Sequence, residues 1–282
     1  MFEVIIYSVI FIWLFTASIF DIKTREVPDW LNFSLIAIGL SASLIYSIFS
    51  WDYWFFVYSL LGLAVAFVIA VIMSYTKQWG DGDSKMLLGI GACLGFNWHF
   101  AFFDFANWPI LLYFFINSLV VGAVYGMFWA FGLGIVHRKE FVLEFKKWKY
   151  WMFVLPLAFI LVFSVFSLLF TAPFNFMFIC LVVAIGIGFY LLFFIKIVEK
   201  ACMYKYVKIG KLVPGDWTAE MIKRNGRLVC NKKDVLDEKQ ISLFKRLKVK
   251  SVLVKEGIPF VPSFFLGFIF SLIFGNILRF LF

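Results

Sequence analysis

Apolar positions along this chain come in long unbroken runs, without the alternation of a half-buried strand or the narrow stripe of a surface helix. Runs close to the ~20 residues needed to cross a hydrocarbon core recur from end to end. They predict eight spans, at 2–20, 30–50, 54–75, 84–103, 109–136, 151–171, 174–195 and 260–281. One long polar stretch, 197–258, separates the last two. The fold class expected is an all-α polytopic membrane protein of about eight transmembrane helices, with a small cytoplasmic α+β domain before the last helix. The domains expected are a five-helix membrane domain at 1–136, two further transmembrane helices at 137–196, the small domain at 197–258 and a C-terminal helix at 259–282.

The polar stretch has the signals of a folded unit. Tyr206-Val-Lys-Ile and Ser251-Val-Leu-Val-Lys255 have strand character, and Pro214-Gly215-Asp216 is a turn sequence. From Asp237 to Leu247, Ile241, Phe244 and Leu247 share one helix face while Lys239, Lys245 and Arg246 face away. Some 60 residues bury only a small core, so the unit is expected to lean on the membrane domain. Its use is either a structural cap or the presentation of a substrate.

Composition agrees with a bilayer as solvent. The chain of 282 residues is 63% hydrophobic and 15% charged, with 40 Phe and 11 Trp. Soluble domains are nearer half apolar and a quarter charged. The start, Met1-Phe2-Glu3, has no basic n-region, and the first run is long enough to span, so no cleavable signal peptide is expected. Charge then orients the spans. Lys23, Arg25, Lys77, Lys85, the Arg138–Lys149 cluster and the basic residues from Lys196 to Lys255 all fall on one side. Only Arg279, of 26 basic residues, falls on the other. The basic side should be cytoplasmic. The net charge of +9 is largely this signal, with attraction to anionic membrane lipids as its consequence. The polar stretch has no nucleic-acid-binding motif, and no nucleic-acid partner is expected.

Cys93, Cys180, Cys202 and Cys230 lack CxxC spacing and offer no zinc or disulfide framework. His99 and His137 sit near span ends without paired ligands and read as interfacial. No cofactor and no metal is expected. Small residues recur at four-residue spacing, Gly91 with Gly95, Gly122 with Gly126, and Gly62 with Ala66 and Ala70. That spacing suits close helix packing in lipid.

Acidic side chains at membrane helix ends are commonly just solvated, and Glu3, Asp52 and Asp104 are read so. Two cytoplasmic segments differ. In Asp21-Ile-Lys-Thr-Arg-Glu-Val-Pro-Asp29, Asp21 follows the first apolar run directly, and Pro28 opens the next span, where its missing N–H costs little. In Trp79-Gly80-Asp81-Gly82-Asp83-Ser84-Lys85, glycines free the backbone so that Asp83 can be held at a helix start. There the helix dipole favours its anion. Two carboxylates brought together share one proton, because like charges at close range resist joint ionisation. The ionised member can take a proton from water attacking a peptide carbonyl, and the protonated member can donate to the carbonyl oxygen. A Gly-x-Gly-Asp loop alone has many other uses.

Taken together, Asp21-x-Lys-x-Arg-x-Val-Pro-Asp29 and Gly80-Asp-Gly-Asp83-Ser-Lys85 resemble the two signatures of the GxGD aspartic peptidases that process type IV prepilins and archaeal preflagellins (prearchaellins). The resemblance covers about residues 1–135. It extends more weakly to Gly257-Ile-Pro-Phe-Val-Pro-Ser263, which is similar to the C-terminal segment of archaeal members. It implies Asp21 and Asp83 as catalytic aspartates, with Gly80, Gly82 and Lys85 as motif-loop residues, and pilin-like or archaellin precursors as substrates. Lys85 either biases the pair electrostatically or anchors the helix end at the headgroups. Glu26, Asp29 and Asp81 are candidates for attracting a basic leader. Bacterial members commonly carry a cysteine-paired loop and an N-methylating activity. Without CxxC the archaeal type fits better, and spans six and seven are additions to it. Two other classes compete. Presenilin-like or signal-peptide-peptidase-like proteases keep their aspartates inside apolar runs. Transporters and scaffolds place carboxylates at mid-bilayer or lack a pair.

Overall fold

In a computed structural model, residues 2–76, 78–98, 104, 107–169, 174–212, 215–224, 227–231, 234–247 and 249–280 are described. Lys77, His99, Pro214 and the distal ends of the spans expected at 84–103, 151–171 and 260–281 lie outside them.

The described chain is mostly helical and divides into two compact units, residues 1–126 with 257–282, and 127–256. Five helices are long and apolar enough to cross a membrane: α1 (Phe2–Thr24), α2 (Asp29–Ser50), α3 (Trp54–Tyr75), α5 (Ile110–Val136) and α8 (Phe174–Cys202). Helix α4 (Asp81–Leu94) follows α3, and α6 (Arg138–Lys146) and α7 (Trp151–Phe166) are bent by 77° against each other. The last helices are α9 (Glu238–Arg246) and α10 (Val261–Phe274). Large apolar side chains such as Phe49, Phe67 and Phe128 stand exposed, as a lipid-facing surface requires.

Two helices run shorter than their apolar sequences. Helix α4 stops at Leu94 because Gly95 takes a φ of 67°, and the next N–H, of Phe96, turns away to the carbonyl of Tyr58 at 2.8 Å. Gly275, at φ 68°, ends α10 in the same way. Both positions need the left-handed region that glycine enters without a Cβ penalty. Helix α1 instead runs past its apolar stretch to Thr24, and this carries Asp21 inside a helix.

The first unit packs through small residues. Leu35 lies against Gly89 and Gly39 against Cys93, so α2 and α4 run side by side in the same direction. Gly62 and Ala66 of α3 meet Gly91 and Gly95, and the Ser59 hydroxyl donates to the Ala92 carbonyl. Gly122 of α5 lies against Ser263 of α10, whereas Gly126 has open space around it. The expected packing role therefore holds for Gly122 and not for Gly126. The core gathers Ile10, Leu14, Leu35, Leu87, Ile90, Phe114 and Phe268.

In the second unit, α7 and α8 pack through Gly186 against Ile160, and the Tyr190 hydroxyl donates to the Phe153 carbonyl at 2.7 Å. Strands β1 (Tyr204–Lys208), β5 (Ser251–Lys255) and β2 (Trp217–Thr218) form an antiparallel sheet in the order β1-β5-β2. Strands β3 (Ile222–Arg224) and β4 (Arg227–Cys230) form a hairpin. Asp237 caps α9, accepting from the Gln240 N–H at 2.6 Å while Gln240 Oε1 accepts from the Asp237 N–H. Ile241 and Phe244 of α9 are buried with Val252 and Val254 of β5, as the face pattern required, and Leu247 is half-buried.

Candidate active site

Asp21 belongs to the buried stripe of α1, in line with Ile10, Leu14 and Ala17 at three- and four-residue spacing. Its surface exposure is 6%, so the carboxylate at this helix end is buried. The carboxylate is instead satisfied by the start of α10, where the Val261 N–H donates to Asp21 Oδ2 at 2.9 Å. A helix N-terminus carries partial positive charge and unsatisfied N–H groups, and an anion belongs there. Burial opposes that anion more strongly than the charge of Arg25 favours it. Arg25 stands one turn on at φ 62°, closing α1 with its N–H on the Asp21 carbonyl at 2.9 Å.

Asp83 sits in the first turn of α4. Its Oδ2 accepts from the Gly80 N–H at 3.1 Å, which closes the turn that starts the helix. Gly82 packs against Val27, where an added Cβ would already touch at 3.5 Å, so the two motif segments are directly in contact. Trp79 pins the loop from below. It is buried, with its ring 5.2–6.0 Å from those of Phe264, Phe260 and Phe115. Ser84 fixes the turn further, its hydroxyl 2.7 Å from that of Ser74 and 3.1 Å from the Gly80 carbonyl.

Burial pushes the Asp83 carboxyl up to about 7, and the charge of Asp21 pushes in the same direction, against the Gly80 hydrogen bond. The two carboxylates therefore act on each other in the folded chain, 62 positions apart in sequence. Such a pair binds its protons as a unit and keeps one of them well above the usual carboxylate range.

Lys85 is not aimed at the pair. Its ammonium holds Asp29 Oδ1 at 2.7 Å and Asp81 Oδ2 at 2.6 Å, clamping the start of α2 to the start of α4. The structure thus joins Asp29 and Asp81 through one cation, and Glu26 is exposed. Gly80 and Gly82 lie in the turn that presents Asp83.

Three further contributors have roles that the sequence does not show, although Trp79 and Val261 lie within the quoted segments. One is the Val261 N–H, a backbone group 240 positions from Asp21. Another is Trp79, whose place under the loop depends on α10. The third is Tyr125 on α5, whose buried hydroxyl lies within electrostatic reach of Asp21 and Arg25. Nothing in the local sequence around Tyr125 marks it; an apolar run that also carries Tyr113 and Ser118 is ordinary in a membrane helix. Among the described residues, no cluster of three or more His, Cys, Asp or Glu is arranged to hold a metal ion.

Residues 8–127 match the type IV leader peptidase family. Over 81 residues, 29% of this chain and 34% of the relative, the sequence is 33% identical to a preflagellin peptidase of Methanocaldococcus jannaschii. It is 26% identical over 141 residues to the prepilin peptidase EppA of Methanothermobacter thermautotrophicus, covering 47% of this chain and 37% of that one. A preflagellin peptidase of Methanococcus maripaludis is 33% identical over 79 residues, 34% of its length. The chain thus spans about a third of the length of the curated relatives it matches. No solved structure matches.

Proposed function

From the match of residues 8–127 to the type IV leader peptidase family, we propose that this chain is a membrane aspartic endopeptidase that removes the leader of type IV pilin-like or archaellin precursors. The observation that carries the reading is the convergence of Asp21 and Asp83 at the meeting point of α1, α4 and α10. Asp21 and Asp83 are the catalytic pair. One carboxylate takes a proton from water as the oxygen adds to the scissile carbonyl carbon, and the other donates its proton to the carbonyl oxygen. The tetrahedral intermediate then collapses as the C–N bond breaks, and the leaving nitrogen receives a proton from the pair. Gly80 and Gly82 shape the loop and Lys85 sets its position. Glu26, Asp29 and Asp81 present negative charge to the leader's basic residues.

Eight crossings, with α4, α7 and α10 as short spans beside the five long ones, place the basic connectors on the cytoplasmic side. The scissile bond then lies at the cytoplasmic membrane face, where a substrate helix leaves the bilayer. Residues 1–136 form the catalytic membrane domain, 137–196 add two helices, 197–258 form a small cytoplasmic domain and 259–282 a C-terminal helix. Aspartates at the ends of helices, not in mid-span, favour this reading over a presenilin-like protease.

The test is cleavage of a pilin-type precursor by the full chain in membranes. Release of the leader at the start of the apolar segment is expected. Absence of cleavage with every precursor of this type overturns the reading. The pair also sets a pH dependence. Its shared proton is held below about 7 and lost above it, because the folded carboxyl stands above its ordinary value. Cleavage should therefore decline as pH rises through about 7, read from initial rates across roughly pH 5 to 9. A rate that keeps rising through that interval contradicts a shared proton.

A further inference from the structure

Asn32 is a group in this domain that the fold leaves unexplained, and the Ser118 and Ser263 hydroxyls are also buried without partners among the described residues. Its side chain is fully buried, and among the described residues neither its Nδ2 nor its Oδ1 has a hydrogen-bond partner. A buried amide without partners opposes folding, and such groups in native structures call for a reason. Its position supplies one. On α2, Asn32 shares a face with Leu35 and Gly39, which lie against Gly89 and Cys93 of α4. One turn before Asn32, Asp29 is tied to Lys85 at the start of α4. Asn32 therefore faces the α4 turn just after Lys85, about one helical turn deeper than Asp83. On its other side, α2 meets the second half of α1 through Trp13 on Ser34 and Phe20 against Trp30. That is the stretch of α1 that leads to Asp21.

Asp21 is itself buried. A peptide can reach it only if the packing around the pair opens, and a role for Asn32 requires the contact between α2 and α4 to open with it. A substrate helix must also unwind near its scissile bond, because helical N–H and C=O groups are used internally. Unwinding frees those groups in an apolar medium where they have no other partners. A carboxamide offers one acceptor and a donor on a single plane, the complement of a peptide unit.

We propose that Asn32 is a substrate-binding residue whose carboxamide pairs with the main chain of the precursor's unwound segment, just on the membrane side of the scissile bond. The inference rests on the peptidase reading. Recognition of this kind is blind to side chains, so it suits a family of precursors as well as a single one.

The experiment compares the wild type with Asn32→Leu, full chain in nanodiscs, using a pilin-type precursor. Leu has similar bulk and no polar group, so the thermal unfolding midpoint should stay level or rise. The cleavage kcat/KM should fall by about tenfold or more, the loss of two neutral hydrogen bonds, with most of it in KM. In an Asp83→Asn background, which holds precursor uncut, adding Asn32→Leu should weaken precursor binding by a similar factor. Unchanged kcat/KM and binding in Asn32→Leu overturn the proposal. So does a lowered unfolding midpoint with cleavage lost, since Asn32 would then serve the fold. If the wild type itself cuts no precursor, the peptidase reading fails and takes this inference with it. If the wild type cuts and Asn32→Leu cuts equally well, only the role of Asn32 is lost.

Discussion

Replacing Asp21 or Asp83 with Asn should each lower precursor cleavage by about 10²–10⁴-fold while leaving the fold intact. The loss follows from the chemistry: an amide neither takes the proton from water nor donates one to the carbonyl oxygen at neutral pH. Retention of the fold follows from the geometry. An Asn oxygen at position 21 still accepts the Val261 N–H, and one at position 83 still accepts the Gly80 N–H. Each variant replaces one carboxyl of the proton-sharing pair by a neutral amide of the same shape, so the unfolding midpoints should stay close to that of the wild type. The double variant should lose little more than either single one, because the two groups act as a unit. Initial cleavage rates and thermal unfolding, measured on the same nanodisc preparations, check both halves. A well-folded Asp21→Asn or Asp83→Asn that still removes leaders would end the assignment of that residue.

The second large effect is expected away from the chemistry, at Gly62. A Cβ there would stand 2.6 Å from Gly95 Cα, against backbone that has nowhere to move. Gly62→Val must therefore push α3 and α4 apart. Overpacking of this kind costs about 1–3 kcal/mol, and here it also displaces the helix that carries Asp83. A lowered unfolding midpoint together with severe loss of cleavage is expected. Gly126→Ala is the control, since nothing lies within 4 Å of that position, and it should behave as the wild type. Chemical unfolding of the two variants side by side, with cleavage measured in parallel, decides it. If Gly62→Val unfolds and cuts like the wild type, α3 and α4 are not packed as described.

Much of the site was legible before the fold. The place of Asp83 can be read because two glycines precede it and an apolar run follows, which marks a helix start. Lys85 was harder: its position was clear, but its partners are Asp29 and Asp81, one of them on a different helix. Asp21 was read at the end of an apolar run as a rim residue. Its burial depends on α1 continuing to Thr24 and on α10 arriving over it. The packing glycines were similarly half legible. Four-residue spacing marks both Gly122 and Gly126, yet only Gly122 meets a neighbour. Spacing says which face a residue is on and not what lies opposite.

What the sequence by itself determined is what a single segment can express: long apolar runs that require a bilayer, a charge asymmetry, and two carboxylates at helix ends on one side. Those properties follow from the solvation of backbone and side chains, and they hold wherever the segment sits. The tertiary structure alone decided that the two carboxylates act on each other, that an N–H from α10 holds Asp21, and that Asn32 lies buried with no hydrogen-bond partner among the described residues. These are relations between segments up to 240 positions apart. In an apolar medium where nearly every local pattern is satisfied by a helix, only side-chain packing between helices selects which polar groups meet.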